Sequence, residues 1–561
     1  MKITKITKLA AAIATASALA GCLDSDSDSN STESDGPFAR SLSMVANPNS
    51  AVSDLAAITD STCFSAGECS ASGYVFPADA TFVPGNDGDD ITDILLATIN
   101  DAGTDAVIVL PKGTFKVNKN VAVSSSQNGL TLVGYGIDET KLDFIDSPAD
   151  DGVKVSAANN IVLRDFSVYE AAKNGIKVDQ ANGVHFNYVA TIWENPLTPD
   201  AESEGHNGIY GLYPVGSQNV LVENSYSKGS SDAGIYVGQT SNIVVRNNVA
   251  EHNVAGIEIE NSSNADVYEN VAFDNTGGLL VFDLDGLDKA FGSNIRIFNN
   301  HSYSNNLANA GSGFVGYVPK GTGALILASD GVEVFNNQFD DNNGQAIALT
   351  SYFLIDEDVE NYGANYGATL AAGWTPIINN IYIHDNAYKN NSSFPDVNAK
   401  TSLLGDVSLG YIAGQNFTMQ PVSHPAVVYD GIGELLTTAN VLSPMGISQA
   451  SYASGTMCIE NSVNQNTTPG LDLNIASVYG VDPTEVHPTE GTPLNFVESV
   501  AGSGTYDTPT PTLRVEAIGS NTIMNCGTSP TRLDPSVVTI NGTKYGCGTG
   551  GDDEGSTSCS L

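Results

Sequence analysis

Positive charge is scarce in this chain. Lysine and arginine together number 22 against 64 aspartates and glutamates, a formal net charge of -42. Such an acidic molecule repels phosphate backbones and anionic lipid faces, which excludes nucleic acid as a partner and excludes membrane adhesion by charge alone. Histidine is also sparse. His185, His206, His252, His301, His384, His424 and His487 are the seven, and no two stand at ligand spacing, which argues against a zinc or copper centre. Long apolar runs are missing as well. The most apolar stretch, residues 9–20, is too short and too rich in alanine to span a bilayer.

That stretch has a different meaning. Lys2, Lys5 and Lys8 precede it and Leu19-Ala20-Gly21-Cys22 follows it, the order of a secretory signal over residues 1–21. Leu-Ala-Gly-Cys in this position resembles the bacterial lipobox, which implies acylation of Cys22. The alternative is a plain signal with an incidental cysteine. Leu23 in place of aspartate implies, by the same resemblance, sorting to the outer membrane. Residues 22–50, opening LDSDSDSNSTESDG, lack core-forming side chains and are expected to be an acidic tether. Residues 51–90 form an N-terminal segment holding Cys63 and Cys69. With Cys458, Cys526, Cys547 and Cys559 they make six cysteines beyond Cys22. An even number in an exported chain, with no C-x-x-C spacing, points to disulfides rather than a metal. Cys63 with Cys69 is the local pair, and the pairing among the last four stays open.

Between about 91 and 400 the chain repeats itself. One strand type recurs as NNIVLRDF (159–166), QNVLVENS (218–225), SNIVVRNN (241–248), SNIRIFNN (293–300) and DGVEVFNN (330–337). A second alternates with it: NGIKV from 174, NGIYG from 207, AGIYV from 233, AGIEI from 255, GGLLV from 277 and TGALI from 322. The closest pairs are about 22 residues apart, a spacing suited to a β-solenoid. A single turn cannot bury its inward residues, but stacked turns share one core. The inward set is expected to include Ile176, Val178, Ile209, Ile235, Val237, Val244, Ile257, Ile259 and Val267. The asparagines are expected to stack as amide ladders at a corner, and each glycine to permit a sharp corner. Residues 91–103 have helical spacing of Ile91, Ile94, Leu95 and Ile99 and are expected to cap the open end of the core. From 401 to 561 the period fades into a cap and a cysteine-containing tail.

Residues 207–351, running NGIYGLYPVGSQNVLVENSYSKGSSDAGIYVGQTSNIVVRNN to AIALTSY, resemble bacterial exported parallel β-helix repeat proteins of the carbohydrate-binding and sugar-hydrolase type. MCIEN at 457–461 fits the same pattern. The resemblance implies an all-β, right-handed parallel β-helix with an N-terminal capping helix and a C-terminal disulfide-containing extension. It also implies a polysaccharide or envelope protein partner. It carries over no catalytic residue. The Asn-Thr-Asp, Asp-Asp, Gly-His-Gly and Arg-Ile-Lys set of polygalacturonase-like hydrolases is absent, and so is the Asp-Pro-His-Asp set of mannuronan epimerases.

The site is therefore sought by chemistry. In the second strand type the residue after the inward Ile or Leu points outward. That column is expected to run Lys154, Lys177, Tyr210, Tyr236, Glu258, Leu280 and Leu325. Its companion, two residues on, runs Ser156, Asp179, Leu212, Gly238, Glu260, Phe282 and Leu327. Loops 193–206, ending at His206, and 282–292 flank this face. Glu258 and Glu260 are candidates for acid/base work, with Tyr210, His206 or Lys177 as further proton carriers and Tyr236, Asp179 and Asp283 as substrate contacts. Asp283, Asp285 and Asp288 offer part of a calcium ligand set without the closing glutamate of an EF-hand. The expected function is an envelope-anchored lyase, epimerase or hydrolase acting on polysaccharide at this face. The alternative is a non-catalytic module that binds glycan or an envelope protein. The net charge makes an anionic glycan an expensive ligand unless calcium bridges it, or unless it sits on the early turns, where eight cations fall between Lys112 and Lys177.

Overall fold

The computed structural model describes residues 62–199, 207–352, 355–356, 365–391, 426–429, 457–460, 463–464, 475–478, 514–517, 526 and 532–559. Cys22, the signal, the tether and His206 lie outside the described residues.

Helix α1 (Thr92–Asp101) stands at the start of the core. Ile91, Leu95 and Ile99 are buried there, whereas Ile94 is 42% exposed. The described strands stack in two continuous sheets of 21 and 12 members, with neighbours paired in parallel except at the last pair of the smaller sheet, where Ile475–Val478 meets Arg514–Ala517 antiparallel. Six strands of the smaller sheet matter for the site: β1 (Asn174–Asp179), β2 (Tyr210–Val215), β3 (Ala233–Gly238), β4 (Ala255–Glu260), β5 (Gly277–Phe282) and β6 (Thr322–Leu327). Their register lines up Ile176, Leu212, Ile235, Ile257, Leu279 and Ala324 in one inward column. All six belong to one buried cluster running the length of the solenoid. Parallel strands continue the stack past residue 400: Val427–Tyr429 pairs with Gln345–Thr350, and Met457–Glu460 with Asn379–His384.

Two of the expected inward residues are not inward. Ile209 precedes β2 and is half-buried; Leu212 takes its place in the core. Val244 is fully buried but faces away from the solenoid core, against Val538 and Ile540. These two belong to a C-terminal hairpin, β7 (Val538–Ile540) and β8 (Thr543–Tyr545), that folds back over the larger sheet. Arg246 fastens it, bonding Asp552 at 2.7 Å and Asp553 at 2.6 Å while its Nε donates to Glu223 at 2.8 Å. Burial opposes the charged form of Glu223, but hydrogen bonds and charge from His185 and Arg246 outweigh it and hold the carboxyl at about 2. The disulfides are Cys63–Cys69, Cys458–Cys526 and Cys547–Cys559.

The asparagine ladders exist, and there are two buried ones. Asn248, Asn270, Asn300, Asn337 and Asn386 form the first, each amide donating to the next at 2.9–3.0 Å and to a strand carbonyl. Asn253, Asn275, Asn305, Asn342 and Asn391 form the second. A third, outer row occupies left-handed corners, with φ of 55° at Asn219, 58° at Asn242 and 57° at Asn264. Asparagine tolerates that region better than other side chains. The strand glycines serve a different need from a corner. A Cβ on Gly211 would meet the carbonyl of Gly234 at 2.2 Å, and one on Gly256 that of Gly278 at 2.6 Å, so these glycines allow adjacent turns to approach.

Candidate functional site

The outward face of β1–β4 collects the chemistry, with one change of register. Lys177 pairs with Tyr213, and Tyr236 with Glu258, so the column runs Lys154, Lys177, Tyr213, Tyr236, Glu258, Leu280, Leu325. Tyr213, not Tyr210, stands between Lys177 and Tyr236. In the companion column Val215, not Leu212, stands between Asp179 and Gly238. The repeat unit in this turn is Tyr-Gly-Leu-Tyr, with Gly211 in the place that Gly208 was expected to fill. Tyr210 pairs with Asn174 at the start of the strand and still reaches the site, because its ring lies 4.5 Å from those of both Tyr213 and Tyr236.

The face was expected to be open to solvent, and it is not. A second apolar layer covers it, built from Leu197, Leu284, Val315, Val318, Tyr352 and Trp374 over Leu280, Phe282, Leu325 and Leu327. Glu258 and Tyr236 are 3% exposed and Glu260 is 7% exposed. Tyr210, Tyr213, Lys177 and Asp179 are half-buried and lie on the less covered early turns.

The two glutamates point the same way from β4 and share a side-chain hydrogen bond. Tyr236 donates to Glu260. Its ring folds back over Gly238, where a Cβ would sit 2.3 Å from it, so glycine is what lets the phenol reach across. Glu258 Oε2 is sealed from solvent with no hydrogen-bond partner. Asp232, at the corner before β3, joins them; it is half-buried and hydrogen-bonded to Tyr210. All three carboxyls are pushed above their ordinary range. Burial is the main cause for each, and like charge adds to it, from Glu260 on Asp232 and from Asp232 and Glu260 on Glu258. Burial first and Glu260 second also raise the phenols, Tyr213 to about 12 and Tyr236 well above its usual value. Such an arrangement retains protons on carboxyls and phenols at neutral pH, so its groups are proton donors before they are bases.

The remaining candidates lie apart. The Lys177 ammonium sits 5.1 Å over the Tyr213 ring, and Asp179 accepts from Ser156 at 3.0 Å. The calcium set does not assemble. Asp283 is buried and accepts the Gly292 N–H at 2.8 Å, Asp285 accepts from Thr369, and Asp288 is exposed. Asp283 and Asp285 are spent on separate donors and Asp288 turns to solvent, which leaves no shared cage among the described residues. Sequence reasoning missed Tyr213 and Asp232. The signal for Asp232 was an acid at a corner position where the adjacent turns hold Ile209 and Val254.

A family model described as the right handed beta helix region matches residues 202–358. No curated protein matches the chain. Among solved structures it is similar to the A-module of a mannuronan C-5 epimerase from Azotobacter vinelandii, at 15% identity and TM-score 0.40, covering 70% of this chain and 97% of that one. It is similar to the catalytic unit of an α-1,3-glucanase from Streptomyces thermodiastaticus, at 16% identity and TM-score 0.38, covering 64% of this chain and 51% of that one. It is also similar to a DFA-IIIase from Arthrobacter chlorophenolicus, at 12% identity and TM-score 0.42, covering 72% and 92%. The matched region and the parallel register of the stacked turns make this protein a right-handed parallel β-helix.

Proposed function

We propose that this protein is an envelope-anchored, polysaccharide-active enzyme, and that it works by proton donation at the outward face of β2–β4. The observation that carries this reading is the hydrogen-bonded pair Glu258 and Glu260, buried beneath tyrosines with no basic partner among the described residues. A fold gains nothing in stability from burying two adjacent acids, so such a pair points to function. Tyr210 and Tyr213 offer half-exposed rings beside it, the flat apolar surface that a sugar ring stacks on. Of the three reaction types, hydrolysis of a neutral glycan fits best. A uronate would meet like charge, and protonated phenols are poor bases for removing a C5 proton.

Turnover assays on a panel of neutral glycans, alginate and pectate, with and without calcium, test this. New reducing ends from a neutral glycan are the expected result. Unsaturated ends from alginate or pectate would replace hydrolysis by elimination. The deep burial of Glu258 favours a second reading, a non-catalytic module, and binding without products would establish it. Anchoring is tested separately: Cys22→Ser should release the protein from the membrane pellet, and unchanged fractionation would remove the lipid anchor from this proposal.

A further inference from the structure

Glu258 and Glu260 lie beneath the covering layer, where a polymer has no path to them. Asp232 occupies the corner at the edge of that layer and is half-buried, the most accessible of the three carboxyls. Tyr210 connects the two parts. It bonds Asp232, its ring touches that of Tyr236, and Tyr236 bonds Glu260, which bonds Glu258. The chain ends at the Glu258 oxygen that has no partner and no solvent. An acid chain with an unsatisfied inner end and a half-buried outer end is arranged to hold a proton inside and present one at the edge of the layer.

We propose that Asp232 is the catalytic proton donor of this site, and that Glu260 is a positioning residue that acts on it across Tyr236 and Tyr210. This deepens the hydrolase reading and rests on it. The Asp232 carboxyl gives its proton to the glycosidic oxygen as the carbon–oxygen bond breaks, and the bonding pair stays on that oxygen. Water supplies hydroxide to the anomeric carbon, and its remaining proton restores the Asp232 carboxyl. Burial first keeps Asp232 protonated at neutral pH, and Glu260, once ionised, adds negative charge where water cannot screen it.

The test does not depend on knowing the glycan. A water-soluble carbodiimide with an amine nucleophile amidates carboxyls that are both protonated and reachable, and peptide mass mapping locates the product. On the intact protein at pH 7, Asp232 should be labelled at least 10-fold faster than Asp93, whose side chain is 89% exposed and paired with Lys119, with Glu258 and Glu260 unlabelled. Preferential labelling of Glu258 or Glu260, or an Asp232 that reacts only where Asp93 does, overturns the proposal. In Glu260→Gln the labelling profile of Asp232 should move to lower pH by at least one unit, because a neighbouring charge is gone; an unmoved profile removes the positioning role. Tyr210→Phe keeps the ring and cuts the connection, and should move the profile if Glu260 acts through that hydroxyl. If a glycan is turned over, Asp232→Asn should lower kcat about 100-fold or more, and retained kcat overturns the proposal. If no glycan is turned over, the hydrolase reading fails, while the labelling still decides whether Asp232 is the protonated outer member.

Discussion

Replacing Asn270 with alanine is expected to be among the most damaging single substitutions outside the apolar core. Asn270 is fully buried. Its carbonyl oxygen accepts from the Asn248 amide nitrogen at 2.9 Å and the Asn248 backbone N–H at 3.0 Å; its own amide donates to Val245 O at 2.9 Å and Asn300 Oδ1 at 3.0 Å. Alanine leaves two donors of Asn248 and the Val245 carbonyl without these partners in a space that water does not reach. At about 1–3 kcal/mol for each orphaned buried group, and allowing for sharing, the loss is about 3–6 kcal/mol. The backbone at Asn270 is not left-handed, so alanine adds no strain of its own. Asn242→Gly is the matched control. Asn242 belongs to the outer row, bonds Asn219 at 3.5 Å, and has φ of 58°, which glycine adopts freely; it should cost about 0.5 kcal/mol or less. Urea unfolding followed by circular dichroism reads both. If Asn270→Ala loses less than about 1 kcal/mol, the ladder is decoration and the turns are held together by their apolar columns alone.

Ile257→Ala should cost about 2–5 kcal/mol in the same assay, since it opens a cavity in the shared core. Arg246→Ala should loosen the C-terminal hairpin without unfolding the solenoid, so limited proteolysis should cut within 532–559 first; resistance equal to wild type would show that the apolar contacts of Val538 and Ile540 suffice. Glu258 titrates well above its ordinary value, so its contribution to stability is fully present below about pH 4 and lost as pH rises through its folded value. Glu258→Gln should therefore match wild type near pH 4 and exceed it near pH 8 by a margin visible in Tm. A constant difference across that range would mean that the buried carboxyl is not protonated in the folded chain.

Ile209 and Tyr210 show where pattern matching fails. NGIYG copies the NGIKV motif one insertion early, and only strand pairing reveals that Gly211 is the glycine squeezed between turns. Val244 shows a second limit. Alternation assigns a β-branched residue to the inside, but the C-terminal hairpin supplies another apolar partner on the outside, from nearly 300 residues away in sequence. The aspartates of the 283–288 turn suggested a shared ion, yet Asp283 and Asp285 accept from different donors and Asp288 stays exposed, along a path the sequence does not specify.

The solenoid was determined locally. Period-two apolar residues, buried asparagines and glycines at the close approaches are short-range requirements that each turn repeats, so they stand written in the sequence 22 residues at a time. Glu258, Glu260 and Tyr236 were legible for the same reason, as outward positions of a regular strand. The state of those residues was decided only in three dimensions. Whether an outward carboxyl meets water or a second apolar layer depends on insertions that leave the repeat and return, and on Asp232 and Tyr210 arriving from neighbouring corners. Burial and like charge act through space and not along the chain, so the tertiary structure, and not the order of residues, makes these acids hold their protons.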